Sequence, residues 1–403
     1  TVNLPAGTAG AVVAVKDYAG TFATNAVTLV PNGSDKIGGD STNDGVLDTE
    51  GISVTLVFVD STQGWLVTDD GLQSSVPTTT FITATGGNQI LTCGNFKTHI
   101  FTGPGTFTVC SVGTCAPHNK VDYVVIAGGG GGAMGHPPAY MAGAGGAGGF
   151  RLSNAVGCVP APTMSPLVAP NSPSPASLPV TATGYPVTVG GGGSGLDSPN
   201  TVGNAGSNSV FAGSSTITSA GGGRGGIGTG PDSTGGNGGS GGGGTSGGGG
   251  GTGNTPPVAP PQGQNGSSGF PGNNNGGGAG GGAGGAGATG PGNHVGGAGG
   301  AGSFISNSFF GPLAPSFGEA GPVSSTRYFA GGGGGSSDAS AASCTQVAGG
   351  VGGGGDGGLG GGGKTPADNG VANTGGGGGG GAEPGSTSGG GGSGIVMIRY
   401  KFQ

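Results

Sequence analysis

The chain has 403 residues, including 112 glycines and 28 prolines, with only 7% charged residues and a formal net charge of −7. The ten lysines and arginines are scattered singly, which gives no basic patch for nucleic acid. No apolar stretch approaches 18 residues, so the sequence also predicts no membrane insertion. A chain of this length usually forms two or three domains.

Residues 1–76 are predicted to form a small β module. Three runs rich in β-branched residues, separated by turn clusters, indicate strands: 11–15, 26–30 and 53–59. Trp65 is expected to anchor the core of this module, with ligand stacking as the alternative. A sequence resembling a calcium loop begins at Asp40, but its twelfth position is Gly51 instead of glutamate, which favours a solvated turn. No signal peptide is visible before the first strand, and the start at Thr1 is typical of a fragment or a processed product.

Residues 77–127 are predicted to be a connector of β-hairpins. Its last segment, Val121 to Ala127, is apolar and runs directly into the first glycine tract. A second apolar segment, residues 395–403, follows the last glycine tract. We expect the closing strand 395–403 to pair with 121–127 and to clamp the glycine-rich region at its base.

Residues 128–394 contain 96 of the glycines, in pure runs of up to seven. Such a composition without a strict period is typical of disorder. The alternative is a bundle of polyglycine II helices, which have three residues per turn and direct every backbone group outward to a neighbour. Collagen needs glycine at every third position, and runs of five to seven glycines break that rule. We therefore predict a mainly β fold with a polyglycine II helix bundle, a glycine-rich sandwich after the small β modules, and essentially no α-helix.

The five cysteines leave three possibilities open. Cys110 and Cys115 flank a short turn that could bring them together as a disulfide. A metal site would require further ligands, for which His99 and His118 are the nearby candidates. Unpaired thiols are the third possibility, because the number of cysteines is odd.

Several motifs that indicate catalysis fail in their context. Residues 358–365 match the phosphate-binding P-loop pattern, but neither a preceding strand nor a following helix is predicted there. The acidic residues of the glycine-rich region are widely separated, whereas glycoside hydrolysis needs two carboxylates in one cleft. The four histidines accompany no nucleophile motif. We therefore predict that the chain is not an enzyme and uses no cofactor or metal.

The segments between the glycine runs carry most of the chemical variety, and binding residues often lie in loops on a rigid scaffold. Packing against the bundle or assembly with another subunit is the competing interpretation for the aromatic residues. The candidate receptor or assembly contacts are His136, Tyr140, Met141, Phe270, His294, Phe304, Phe309, Phe310, Phe317, Arg327, Tyr328 and Phe329.

The order of several segments resembles bacteriophage tail-fibre proteins of the marine and cyanobacterial type. The segments resembling their glycine-rich domain are 121–132, 148–151, 184–190, 209–211, 216–218 and 394–400. Segments 4–7, 16–22, 53–60 and 64–65 resemble a fibre-shaft module of the same phages. The long insertions 155–177 and 304–329 depart from that pattern.

The resemblance implies an external virion fibre protein that binds the host surface through loops on the glycine scaffold. It further implies a homotrimer attached to other virion proteins through the N-terminal module. The expected receptor is a host glycan or an outer-membrane protein. The alternative is a structural appendage, such as a head or neck fibre, that does not select a receptor.

Overall fold

In a computed structural model, the chain divides into two compact units, Thr1–Thr79 and Thr80–Gln403. The structure describes all residues except 41–43, 73–79, 114–115, 136–140, 155–164, 166–175, 229, 246, 272–275, 339–344, 362–363 and 383–385. The division falls after residue 79, close to the predicted module boundary at 76.

The N-terminal unit has six strands: β1 (Val2–Asn3), β2 (Val12–Lys16), β3 (Val27–Val30), β4 (Gly45–Leu47), β5 (Ile52–Phe58) and β6 (Trp65–Leu72). They form two three-stranded sheets, ordered β1–β3–β4 and β2–β5–β6. Alternate residues of β5 are buried, as the period of two in a strand requires. Trp65 is fully buried and meets the ring of Phe58 edge-on at 5.5 Å. Trp65 therefore belongs to the core of this unit.

The second unit begins with strands β7 (Thr83–Thr85), β8 (Gln89–Cys93), β9 (Phe96–Phe101), β10 (Gly105–Ser111), β11 (Lys120–Ile126) and β12 (Phe150–Leu152). It continues with β13 (Leu178–Pro179), β14 (Gly184–Thr188), β15 (Ser209–Ala212), β16 (Thr216–Ser219), β17 (Ser303–Ser306), β18 (Glu319–Ala320), β19 (Thr326–Phe329), β20 (Ser337–Asp338), β21 (Leu359–Gly360) and β22 (Ile395–Lys401). Helical structure in the described residues is limited to short 3-10 segments, among them Ala116–Asn119, Pro231–Ser233, Asn307–Phe309 and Gly311–Ser316.

A six-stranded sheet holds both ends of the glycine-rich region. Its strand order is β12–β11–β22–β9–β8, and the sixth strand, β13, also pairs with β11. Strands β11 and β22 pair antiparallel, with the register running from Ile126 opposite Ile395 to Asp122 opposite Arg399. The chain therefore enters and leaves the glycine-rich region at neighbouring positions of one sheet.

Apolar clusters cover both faces of this sheet. One face packs against the inner side of a five-stranded sheet, ordered β16–β15–β14–β10–β7, through residues that include Phe107, Tyr123, Phe211 and Tyr400. The other face packs against the segment 303–329 through residues that include Val124, Met397, Phe310 and Phe329. The predicted connector 77–127 is thus corrected, because its strands β7 to β11 are central parts of the second unit.

The glycine runs are joined by backbone hydrogen bonds that repeat at every third residue. In the run from Gly128 to Met134, the N–H groups of residues 128, 131 and 134 donate to residues 207, 204 and 201. Residues 129 and 132 donate to a second neighbour at 392 and 389, and residues 130 and 133 to a third at 146 and 143. The run 143–149 repeats this pattern with three other neighbours.

This periodicity is the one that a polyglycine II helix requires, because three residues complete one turn and each donor faces a different neighbour. We call the set of cross-linked runs the glycine lattice. The mainly β fold, essentially without α-helix, is confirmed. The assignment of the runs as polyglycine II helices stays a prediction, which the hydrogen-bond period supports.

Close packing explains why the inner positions of the lattice are glycine. A Cβ atom added at Gly378 would overlap the carbonyl group of Gly389, and one added at Gly132 would overlap that of Gly379. By contrast, a Cβ atom at Gly191, on an exposed edge of the lattice, meets nothing within 4 Å. The inner runs therefore have no room for a side chain.

Candidate functional site

The glycine lattice has two ends with different surroundings. At the proximal end the runs continue into the sheets, as Gly128 does after β11 and Gly394 before β22. At the opposite end, here called the distal face, isolated bridges join the ends of neighbouring runs: Met134–Thr201, Met134–Gly381 and Ala142–Ile227. Beyond these bridges the chain reverses in loops.

The distal loops carry side chains that the lattice lacks. Exposed polar, charged and proline residues of the described loops are Asp197, Pro199, Asn200, Pro231, Asp232, Pro291, Asn293, Lys364 and Pro366. The backbone groups of the inner runs are bonded to one another, so these side chains provide most of the chemical variety at this end. The distal face is therefore the surface of the lattice best suited to recognition.

Three of the predicted contact residues, Met141, Phe270 and His294, lie near the distal face, with different exposure. His136 and Tyr140 lie outside the described residues. Met141 is buried, and the hydroxyl of Ser336 donates to its sulfur at 3.7 Å. Phe270 is half-buried, and its N–H donates to the carbonyl of Gly276. Met141 is thus a packing residue, which corrects its prediction as a contact.

His294 pairs with Asp338 at the distal face. Its Nδ1 atom lies 3.1 Å from Oδ2 of Asp338, and the two side chains are 22% and 13% exposed. The backbone N–H of Asp338 also donates to the carbonyl of His294 at 2.9 Å. His294 adopts a left-handed conformation with φ of 67°. This residue is held in a specific position, although only part of its ring reaches solvent.

The aromatic candidates of segment 303–329 lie at the proximal end. Phe309 is 2% exposed and Phe310 and Phe329 are fully buried against the six-stranded sheet. Phe304 and Tyr328 are also buried and pack together, with ring centroids 5.2 Å apart. The predicted contact role of these five residues is therefore corrected: they fill the core. Their ring surface is already covered within the chain.

Phe317 and Arg327 complete the same packing. Phe317 is half-buried and stacks on Phe310 at 4.9 Å. Arg327 donates from Nε to the carbonyl of Phe317 and from Nη2 to that of Gly318. Arg327 therefore links β19 to residues 317–318 of the same segment.

A glutamate joins this segment to the glycine lattice. The Oε2 atom of Glu319 accepts hydrogen bonds from the N–H groups of Gly352 and Gly353, at 2.7 and 2.9 Å. Both glycines have positive φ, which lets two successive N–H groups converge on one carboxylate oxygen. This carboxylate thus serves the packing of the unit.

His99 and Tyr400 form a buried polar pair in the six-stranded sheet. His99 places Nδ1 2.7 Å from the carbonyl of Gly86 and Nε2 3.1 Å from the hydroxyl of Tyr400. A carbonyl only accepts, so Nδ1 donates to Gly86, and in the neutral ring Nε2 accepts from the hydroxyl of Tyr400. Burial, together with the charge of Lys97, lowers the pKa of His99 despite the opposing effect of the Gly86 carbonyl. Burial raises the pKa of Tyr400 to about 12.

Arg399 lies on the opposite face of the sheet. Its guanidinium group lies between the rings of Phe96 and Phe309, at 4.1 and 4.7 Å from their centroids. Burial lowers the pKa of Arg399, and Asp122, across the strand pair, opposes that shift. The cation therefore helps to fix segment 303–329 on the sheet.

The described residues contain no group of three or more histidine, cysteine, aspartate or glutamate side chains that could hold a metal ion. Cys93 and Cys110 are free thiols, and Cys115 lies outside the described residues, as do Cys158 and Cys344.

Around the P-loop match, Leu359 exchanges backbone hydrogen bonds with Thr365, and the preceding residues belong to the glycine lattice. Within the described residues, the match is neither directly preceded by a strand nor followed by an α-helix, although both flank a phosphate-binding loop.

Together these features define a glycine-rich lattice based on β-sheets, with its exposed chemical variety in distal loops. The sequence profile of the glycine-rich domain family matches residues 101–401. This range is more than half of the chain, so the chain belongs to the glycine-rich domain family. A search of curated proteins gave no match. No helix in the described part of the chain is long and apolar enough to cross a membrane.

Sequence reasoning missed the loops around Asp197, Asp232 and Lys364 as candidates. It selected aromatic residues because these are often binding anchors. The missed loops could have been found from their position, because each lies between two glycine runs at the end opposite the six-stranded sheet. That position becomes apparent only when the direction of each run is followed from the sheets.

Proposed function

We propose that the chain is a bacteriophage virion fibre protein that binds a host surface through the distal loops. The observation that carries this proposal is the contrast between bonded lattice and exposed loops. Backbone groups of the inner runs are occupied by their neighbours, whereas residues such as Asp197, Asn293 and Lys364 are exposed at the distal face. A rigid scaffold that presents variable loops is a common arrangement for recognition.

The sequence resemblance to tail-fibre proteins supports the same proposal. It covers both the N-terminal unit and the glycine-rich unit, in the order expected of a shaft followed by a binding domain. The family match supports the glycine-rich part. The expected partner is a glycan or a protein of the host surface, contacted by several copies of the chain arranged as a trimer on an external fibre.

A structural appendage is the second candidate function. The observation that favours it is the burial of aromatic candidates, because Phe309, Phe310 and Phe329 serve packing instead of contact. A structural appendage would need the same rigid lattice, but its role would not depend on particular side chains in the distal loops. The two functions differ in whether the distal side chains affect adsorption.

The test is competition between the purified chain and virus particles for host cells. We would compare the wild type with a distal variant, Asp197→Ala with Asn293→Ala and Lys364→Ala. The matched control replaces exposed residues of the proximal five-stranded sheet, Thr85→Ala with Thr106→Ala and Thr188→Ala. We expect the wild type and the control to block adsorption and the distal variant to lose at least about tenfold in potency.

Equal potency of the distal variant and the control would count against the adhesin. If no form of the folded chain blocks adsorption, and particles lacking the chain assemble with altered yield, the appendage is favoured. Tyr140→Ala extends the comparison to an aromatic candidate that lies outside the described residues.

A further inference from the structure

The two units of the chain differ sharply in charge. The N-terminal unit has nine acidic residues and two basic residues, so it carries the entire formal charge of −7. The second unit has eight acidic and eight basic residues and is formally neutral. The acidic residues of the N-terminal unit are Asp17, Asp35, Asp40, Asp44, Asp48, Glu50, Asp60, Asp69 and Asp70, and the basic residues are Lys16 and Lys36.

The N-terminal unit also exposes an unusual share of large apolar side chains. Ten such side chains are exposed among the described residues, and six of them belong to this unit although it is about a fifth of the chain. These six are Val2, Val12, Tyr18, Val46, Val59 and Val67. Exposed apolar surface concentrated in one region indicates an interaction site.

Part of this apolar surface is continuous across one sheet. Val12, Val57 and Leu66 lie side by side on β2, β5 and β6. They are on the side opposite the core, because their neighbours Val13, Leu56 and Trp65 belong to the buried cluster. Val12 is 62% exposed, and Val57 and Leu66 are half-buried. We call these three residues the apolar row.

Acidic residues lie on both sides of the apolar row. Asp60 follows β5 just beyond Val57, and Asp69, opposite Thr55, lies further along β6 from Leu66 on the same side of the sheet. Both are exposed. Lys16 is the one base among the strands of this sheet, and its ammonium group donates to the carbonyl of Gly51. The row is therefore an apolar strip with an acidic rim.

Charge selects the occupant of this strip. A second N-terminal unit would bring another −7 against the first, and like charges at a contact cost affinity. A surface with basic residues around an apolar centre matches both the rim and the row. Charged rims with apolar centres are the usual arrangement of protein interfaces.

We propose that the apolar row of the N-terminal unit is a docking site for a basic protein surface, which in the virion would belong to the protein that holds the fibre. This inference rests on the proposed function only for the identity of that partner. The site excludes self-association through the same strip. It assigns attachment to the acidic unit and leaves recognition to the neutral unit.

The test uses the full-length chain and a short peptide of alternating valine and lysine as the probe. A peptide of alternating valine and glutamate is the charge control. Affinity is measured at low salt, where the Debye length is ~30 Å, and at about 1 M, where it is ~3 Å. We expect the basic peptide to bind at least about tenfold more tightly than the acidic peptide at low salt and to lose most of this preference at high salt.

Two variants locate the site on the unit. Val12→Ser with Leu66→Ser removes the apolar row, and Asp60→Asn with Asp69→Asn removes the negative charge of the rim. We expect the first to weaken binding about tenfold, and the second to weaken it about threefold with a smaller salt dependence. The matched controls in the second unit are Val371→Ser, an exposed apolar residue, and Asp197→Asn with Asp368→Asn. Circular dichroism checks that each variant remains folded.

Equal binding of the two peptides, or equal weakening by the controls, would overturn the proposal. Sedimentation could instead show that copies of the chain associate and that Val12→Ser abolishes this association. That result would overturn the proposal, because the occupant of the row would then be a second copy. Peptide binding does not depend on host cells. The peptides can therefore support the docking site even if the adsorption experiment contradicts the adhesin, and adsorption can support the adhesin even if the peptides show no preference.

Discussion

In the sheets of the second unit, rings such as Phe107, Phe211 and Tyr400 interlock in an apolar core. In the glycine lattice, backbone carbonyl groups fill the space next to each Cα atom, and hydrogen bonds between runs replace side-chain contacts. The sheets are stabilised mainly by removal of apolar surface from water, and the lattice by dense backbone hydrogen bonding. Ordering glycine costs more conformational entropy than ordering other residues, so the lattice depends on many bonds formed together.

This difference predicts opposite responses to substitution. A core loses stability when a side chain becomes smaller, because a cavity remains. An inner lattice position loses stability when a side chain is added, because a neighbouring carbonyl already occupies that space. Substitutions in the two regions can therefore separate the two modes of stabilisation.

We expect the largest effect from Gly378→Val. The new side chain would overlap the carbonyl of Gly389, which is itself fixed by lattice bonds. The second unit should lose more than about 4 kcal/mol of unfolding free energy or fail to fold. Denaturant unfolding followed by circular dichroism measures this loss.

The control for Gly378→Val is Gly191→Ala, at the open edge of the lattice. Gly191 has no atom within 4 Å of an added Cβ, and its φ is not in the left-handed range. We expect this change to be neutral or stabilising by up to ~1 kcal/mol, through the unfolded state. A Gly378→Val protein that unfolds like Gly191→Ala would show that the inner runs are not close-packed.

Much of the fold follows from the sequence by simple rules. The apolar runs at Val121 and Ile395 predicted the strand pair that closes the lattice, because a region without side chains needs ends fixed by something else. The glycine runs, which have backbone groups but no side chains to bond, led to the prediction of polyglycine II helices, and the three-residue hydrogen-bond period supports that prediction. Trp65 was correctly assigned to the core, as a lone large aromatic in a small β module usually is.

The candidate site was harder to predict, for a physical reason. Aromatic residues such as Phe310 and Phe329 are equally suited to a core and to a binding surface, and the sequence around them does not show whether they are buried. Phe329 is the last residue of β19, which pairs with β17, and Phe310 lies in the chain between these two strands. Both rings pack against the sheet. This long-range packing decides their role. The direction of each glycine run, which defines the distal face, also depends on long-range pairing.

The next largest effect should come from Phe310→Ala. Its ring is fully buried against Phe317 and Phe329 at the proximal end. We expect a loss of about 3 kcal/mol in the unfolding free energy of the second unit, from lost burial and a cavity. Leu313→Ala, an exposed residue of the same segment, is the control and should change stability by less than about 0.5 kcal/mol. Equal losses in denaturant unfolding would place Phe310 at the surface.

A smaller, pH-dependent effect should come from His99. Its pKa is lowered in the folded chain, so the unfolded chain binds the proton first as pH falls below about 6.5. The second unit should therefore lose stability as pH falls below about 6.5, until the lowered pKa of the folded chain is reached. His99→Gln should flatten this dependence. If the denaturant midpoint of His99→Gln changes with pH as steeply as that of the wild type, His99 is not the source of the pH dependence.

The smallest effect concerns Asp17 in the N-terminal unit. Burial opposes its ionisation, but hydrogen bonds from the N–H groups of Gly51, Phe22, Thr21 and Gly20 prevail and lower its pKa. Its contribution to stability is therefore present above about pH 3.8 and is lost as pH falls through the lowered pKa. Asp17→Asn should reduce the acid sensitivity of this unit. Near-ultraviolet circular dichroism of Trp65 reports the unfolding of this unit. If the variant and the wild type unfold at the same acid pH midpoint, Asp17 is not a source of the acid sensitivity.

Amide hydrogen exchange resolved by residue tests the lattice most directly. In the inner run, residues 377–381 all donate to other runs, so every amide should be protected. In the edge run, Gly190, Gly193 and Leu196 donate to partners, whereas residues 191, 192, 194 and 195 are exposed. We expect protection at every third amide of the edge run and at every amide of the inner run. Uniform fast exchange in both runs, or protection that alternates with a period of two, would contradict a lattice of three-residue turns.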